Sequence, residues 1–227
     1  MYFHGNAEDI GLAYDLMFMF GAEMKMHVLA VEYPGYGLYK TSKPDEEKIK
    51  QDADTVYDYL TQVCGVKERD IILFGRSMGS GPSSYLSSRK RAGSLLLMSP
   101  FMSIKDATKS LFGWAGFLSM AVYERFKNME TIAEAKCPVF FLHGQKDTLI
   151  PYNHSVELNR VCPTESFLHL PPNMDHNEFL LMEDLVEPFQ RFLRQLDAEY
   201  SDRPSRIKIT APQSQGMQGS AEAHEQE

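Results

Sequence analysis

Gly75-Arg76-Ser77-Met78-Gly79 stands directly after an apolar run, Ile71 to Phe74, and before a helix-compatible stretch. A G-x-S-x-G turn at a strand-to-helix junction holds its serine in a strained conformation, with the hydroxyl projecting beyond the carboxyl edge of a sheet. The following helix directs its positive pole at the same point. A serine hydroxyl is a weak nucleophile at neutral pH and needs a base, which in turn needs a carboxylate to orient it. With this turn, the acid and then the histidine are expected later in the chain, each on a loop after a strand. Of the histidines that follow a plausible acid, His154 opens a helix, His169 lies inside a strand and His224 sits in the C-terminal tail. His176, in Asn173-Met174-Asp175-His176-Asn177, occupies a loop after the last strand. Asp147 follows the run Val139 to Leu142 in His143-Gly144-Gln145-Lys146-Asp147, whereas Asp106 falls in an insertion and Asp175 adjoins His176 too closely to reach its ring. Ser77, Asp147 and His176 are therefore the expected nucleophile, orienting acid and base. The oxyanion formed in such chemistry needs donors; the backbone N–H of Met78 and of Asn6, in His4-Gly5-Asn6-Ala7, are the candidates.

The elements that must position these residues form an α/β alternation. Val28–Val31, Ile71–Phe74, Leu95–Met98, Val139–Leu142 and Ser166–Leu170 are short, nearly continuous apolar runs, the pattern of parallel strands covered on both faces. Tyr2-Phe3 reads as the end of a further strand. Between them, Ile49, Ala53, Val56, Tyr57, Leu60 and Val63 step at helical spacing through Ser42–Gly65, with Pro44 and three acids at the start. Further helices are expected after Ser77, from near Asn153, and from about Glu178 to Leu196. Residues 101–136, rich in Phe, Leu and Met, read as a helical insertion or lid. Residues 201–227 hold no aromatic residue and read as a disordered tail. One domain over residues 1–200 is expected.

Composition narrows the function classes. The 227 residues carry 31 acidic and 23 basic side chains, a net charge of −8, which argues against nucleic-acid partners. Hydrophobic residues at 43% suffice for a core. Arg89-Lys90-Arg91 reads as a helix C-terminus, where cations suit the negative pole. Cys64, Cys137 and Cys162 are odd in number and lack metal-type pair spacing, as expected of free thiols in a reducing compartment. Asn153-His154-Ser155 matches a glycosylation triplet, read as unused. The uncharged stretch Ser110–Tyr123, about 14 residues, is too short to span a bilayer. With no signal-like start, the expected location is cytoplasmic. No metal or organic cofactor is implied, because the three side chains supply their own nucleophile and base.

His4-Gly5-Asn6-Ala7, Tyr33-Pro34-Gly35-Tyr36-Gly37, Gly75-Arg76-Ser77-Met78-Gly79-Ser80-Gly81, Ser99-Pro100, His143-Gly144-x-x-Asp147 and Asp175-His176-Asn177 together resemble the α/β-hydrolase superfamily. Within it the chain looks most like the α/β-hydrolase domain-containing protein 17 family, over roughly residues 1 to 196. The resemblance implies an α/β-hydrolase fold: a mostly parallel, doubly wound sheet of about six strands, without the two strands that usually precede the His-Gly strand, and with a short helical insertion. It implies a truncated start, with a former inner strand exposed as an edge. It also implies a serine hydrolase that removes palmitoyl groups from protein cysteines, with Ser77 attacking the thioester and His176 and Asp147 as base and orienting acid. The expected partner is an acylated protein or lipid-like ester. Carboxylesterase, acylglycerol lipase, serine aminopeptidase and a non-catalytic binding role on a truncated fold are the alternatives. The family's N-terminal cysteine cluster is absent, so peripheral membrane contact would depend on an upstream acylated segment. Oligomeric state is not readable from the sequence.

Overall fold

The structure, a computed structural model, describes residues 1–40, 42–112 and 125–196. Six strands form one sheet: β1 (Tyr2–Phe3), β2 (Ala30–Val31), β3 (Ile72–Arg76), β4 (Ser94–Met98), β5 (Val139–Leu142) and β6 (Ser166–His169). Their order is β2-β1-β3-β4-β5-β6, and every adjacent pair is parallel. The chain runs outward from β1 to β2, then crosses back to β3 on the other side of β1. The winding reverses between β1 and β3, the kind of switch point whose carboxyl ends open a crevice in α/β sheets. Gly5 and Asn6 follow β1, and Ser77 follows β3, so both loops meet there.

Alternating strand residues feed two apolar layers. Phe3, Leu73, Leu95, Leu97, Val139 and Phe141 face α2 (Glu46–Asp58), α3 (Ser80–Arg89) and α6 (Asn153–Val161). Tyr2, Phe74, Leu96, Met98, Phe140 and Leu142 face α1 (Tyr14–Met24) and α7 (Glu187–Gln195). On that second side Phe140 meets Phe189 and Phe192, each at 5.4 Å between ring centroids. A sheet clothed on both faces is what the continuous apolar runs imply.

Several boundaries differ from expectation for physical reasons. The ladder on β2 spans two residues rather than Val28–Val31, and the strand lies at the sheet edge. β6 lies at the opposite edge and is not wholly buried: Phe167 is 42% exposed while stacking on Phe140. β3 runs on through Gly75 and Arg76, so the turn begins at Ser77 itself. α2 starts one residue after Asp45, whose side chain accepts the Lys48 N–H at 2.9 Å, and passes at Tyr59–Val63 into a π-helical turn. α1 was not expected, because Tyr14–Met24 is apolar nearly all round and shows no stripe. Tyr14 and Phe18 on it are exposed. Of the expected insertion, α4 (Ile104–Phe112) and α5 (Asn128–Ile132) are seen, while residues 113–124 and the tail 201–227 lie outside the described residues.

The inward face of α3 is made mostly of small residues, with Leu86 among them. Ser83, Ser84 and Ser87 are fully buried, and the Ser83 and Ser87 hydroxyls donate to the Gly79 and Ser84 carbonyls, each at 2.8 Å. Satisfying these two hydroxyls within the helix lets it lie close on an apolar sheet, while the buried Ser84 hydroxyl has no partner among the described residues. Gly79 makes the approach possible, since a Cβ there would stand 2.0 Å from the Phe3 carbonyl oxygen.

Burial sets an acid limit to stability. It lowers the pKa of His154, with the neighbouring His143 adding to the effect, and it lowers that of His169. Unfolded, each takes a proton near its ordinary 6.5; folded, each does so only at lower pH. The unfolded chain therefore binds more protons below that point, and stability falls as pH drops. The urea midpoint is expected to be lower at pH 5.5 than at pH 7.5, with a smaller difference in His154→Asn. An unchanged midpoint would refute this.

Candidate active site

Each of the three candidate side chains sits on a turn beyond a strand's carboxyl end. Ser77 opens a 3₁₀ turn between β3 and α3 with φ at +51°, the left-handed region that costs a non-glycine residue about 1–2 kcal/mol. Asp147 lies in the loop after β5, and His176 in the loop after β6. Asp147 and His176 are both buried, whereas Ser77 keeps part of its surface open.

The structure brings the three together. His176 Nε2 lies 3.1 Å from Ser77 Oγ, and His176 Nδ1 lies 2.7 Å from Asp147 Oδ2. The second contact fixes the tautomer: the carboxylate accepts from Nδ1–H, leaving Nε2 with a lone pair toward the serine. The other carboxylate oxygen accepts the Leu149 and Ile150 N–H groups, at 3.0 and 2.8 Å. Burial alone would raise the Asp147 pKa. Hydrogen bonds from His143, His176 and the Ile150 N–H outweigh it and hold the carboxyl well below its ordinary value. Asp147 is thus an anion at neutral pH, as a partner for a transient imidazolium must be.

His143 supports that anion from below. Its Nε2–H faces the Ile150 carbonyl at 2.7 Å and Asp147 Oδ2 at 3.2 Å, while Nδ1 lies 2.7 Å from the Ser155 hydroxyl. The H-G-x-x-D spacing has a steric reason as well: a Cβ on Gly144 would stand 2.1 Å from the Met174 carbonyl oxygen. The acid loop thereby touches the base loop backbone to backbone, and the Lys146 N–H donates to that same carbonyl at 3.0 Å. Asp175, set aside from the sequence as the acid, accepts the His176 backbone N–H and shapes the loop. Asp106 bonds to the Ser103 hydroxyl on the first turn of α4. His154 heads α6 and His169 ends β6.

The loop after β1 lies against the nucleophile turn. A Cβ on Gly5 would come within 3.6 Å of Ser77 Cβ. Tyr36 joins the two oxyanion candidates, its hydroxyl donating to Asn6 Oδ1 at 2.7 Å and lying 3.6 Å from Met78 Sδ. Beneath them, the buried His4 ring spans Glu32 Oε1 and the Gly5 carbonyl, each at 2.8 Å. Arg76 Nη1 meets Glu8 Oε2 at 3.0 Å. Sequence reading did not single out Glu8, Arg76, Tyr36 or Glu32. Their partners are up to about a hundred residues away, and only the positions of Arg76 and Tyr36 inside conspicuous motifs hinted at them. Among the described residues no cluster of His, Cys, Asp and Glu could hold a metal ion, and no helix is long and apolar enough to cross a membrane.

No family model matches the chain. It is 30% identical over 212 residues to α/β hydrolase domain-containing protein aho-3 of Caenorhabditis elegans, covering 93% of this chain and 60% of that protein. It is 26% identical over 198 residues to the human α/β hydrolase domain-containing protein 17C, covering 85% of this chain and 57% of that one. Protein bem46 of Schizosaccharomyces pombe is 29% identical over 202 residues, covering 87% and 67%. The chain thus spans about three fifths of the length of the first two relatives. Among solved structures, an acetyl xylan esterase from Paenibacillus sp. R4 superposes with a TM-score of 0.62 at 16% identity, over 85% of this chain and 72% of that one. A bromoperoxidase from Bacillus anthracis gives 0.62 at 15%, over 85% and 90%. These structural likenesses bear on the fold alone. On its sheet order and its structural likenesses the chain has the α/β-hydrolase fold, and in sequence it is similar to α/β-hydrolase domain-containing proteins.

Proposed function

We propose that the protein is a serine hydrolase that cleaves acyl esters or thioesters through an acyl-serine intermediate, with S-palmitoylated protein as its substrate. The observation that carries this reading is the continuous relay from Ser77 Oγ through both nitrogens of His176 to Asp147, with contacts of 3.1 and 2.7 Å. In the proposed reaction His176 Nε2 takes the serine proton as Oγ attacks the acyl carbonyl. The N–H groups of Asn6 and Met78 receive the developing oxyanion, and the Asp147 anion stabilises the imidazolium. His176 then protonates the departing thiolate, and the same histidine activates water to release the fatty acid from Ser77. Ester cleavage differs only in the leaving oxygen.

The preference for a long acyl chain is supported by the rim. Leu12, Leu38 and Leu149 are exposed on the loops after β1, β2 and β5, at the same end of the sheet as Ser77. Exposed apolar side chains at that end of the sheet suit an apolar substrate. The test pairs a fluorophosphonate probe, which reports an activated serine, with palmitoyl-thioester and short-chain ester substrates. Labelling together with preferential turnover of the palmitoyl thioester is expected. Labelling with turnover of short esters alone would remove the depalmitoylase reading and keep the hydrolase. Folded protein that neither labels nor turns over either substrate would remove both.

A further inference from the structure

Arg76, the second residue of the G-x-S-x-G turn, places its guanidinium between two loops. One arm of its guanidinium, Nη1, donates to Glu8 Oε2 at 3.0 Å. The other arm, Nη2, donates to Asn177 Oδ1 at 2.8 Å and lies 3.4 Å from the His176 carbonyl. The second oxygen of Glu8 accepts the Gly5 N–H at 2.6 Å, one residue before the oxyanion candidate Asn6. Arg76 and Glu8 are both largely buried, at 12% and 18% side-chain exposure. A charge-assisted pair in such a site is stronger than one on an open surface. One residue adjacent to the nucleophile therefore holds, through a rigid fork, the oxyanion loop on one side and the base loop on the other.

We propose that Arg76 and Glu8 are positioning residues that set the oxyanion loop and the His176 loop in register with Ser77, a role that rests on the hydrolase reading above. Neither need touch the substrate. The guanidinium fixes where the Gly5-Asn6 backbone and the His176 backbone stand relative to Oγ, so that one element governs both oxyanion stabilisation and proton transfer. Lysine cannot substitute, because its donors share one rotating nitrogen and do not span two separated partners as the planar guanidinium does.

The experiment compares wild-type protein with Arg76→Lys, Arg76→Met and Glu8→Gln. Turnover of a p-nitrophenyl ester is measured alongside residue-resolved amide hydrogen exchange. The expected result is a fall in kcat of about 10²-fold in each variant, the scale of an ångström-sized misplacement, with KM within about twofold. Exchange should rise at Gly5 and across 174–178, while β3, β4 and β5 stay protected. Glu8→Gln keeps the shape of the side chain and serves as the decisive variant if Arg76→Met does not fold. Unchanged kcat and unchanged exchange in Glu8→Gln and Arg76→Lys would overturn the proposal. So would activity loss accompanied by deprotection of the whole sheet, since that marks a purely structural role. If wild-type protein shows no turnover, the hydrolase reading fails on its own, and the exchange pattern still decides whether the clamp exists.

Discussion

Ser77→Ala is expected to abolish fluorophosphonate labelling and to lower kcat for any turned-over ester or thioester by about 10⁵-fold, roughly 7 kcal/mol of transition-state stabilisation. The variant removes one oxygen, the only atom that could form the acyl bond, and leaves the supporting hydrogen bonds of His176 and Asp147 in place. The serine itself adopts a left-handed φ of +51°, a conformation alanine shares at similar cost, so the melting temperature should change little. His176→Ala should match it in activity, because groups acting as one unit are not additive in their loss. Residual turnover within tenfold of wild type, in protein free of contaminating esterase, would show that Ser77 is not the nucleophile.

Asp147→Asn is the sharper test of how the base is oriented. The amide oxygen could still accept from the Leu149 and Ile150 N–H groups, which now bond Oδ1 at 3.0 and 2.8 Å. The amide NH₂ would then face His176 Nδ1 as a donor and force the proton onto Nε2, the nitrogen that must accept from Ser77. The same NH₂ would also confront the His143 Nε2–H, now 3.2 Å from Oδ2. A drop in kcat of about 10⁴-fold is expected, the scale seen when the wrong imidazole tautomer is imposed. Activity should recover partly at high pH if hydroxide replaces the base, and KM should stay near wild type. A loss below tenfold, measured in steady-state assays on folded protein, would remove Asp147 from the proposed mechanism.

The parts of this fold that could be read from the sequence are those whose burial is total. β3, β4 and β5 are covered on both faces and carry the unbroken apolar runs Ile72–Phe74, Leu95–Met98 and Val139–Leu142, so their positions, and those of the loops after them, follow from the apolar pattern. Ser77 and Asp147 lie directly beyond two of these strands. His176 was reachable because the loop after β6 holds one histidine. What remained hidden was set by partners far along the chain. α1 carries apolar residues on its exposed side as well as its buried one, so it shows no helical stripe. β2 and β6 are shorter or more open than their sequences imply because each has a neighbour on one side only. The Glu8–Arg76 pair joins residues 68 positions apart; no local pattern records it, since either charge read alone is an ordinary surface residue. His143 looked like the opening of a motif, and its hold on Asp147 depends on how the loop after β5 folds back.

The backbone touch between Gly144 and the Met174 carbonyl has a mechanical consequence. With no side chain between them and the Lys146 amide bonded to that carbonyl, the loops that carry Asp147 and His176 form a single corner. Movement of this corner therefore carries imidazole and carboxylate as one piece, and the Arg76 bonds to Asn177 and the His176 carbonyl tie that piece to the nucleophile turn. The longer of the two links, His176 Nε2 to Ser77 Oγ at 3.1 Å, is then the contact that a displacement of this corner lengthens first.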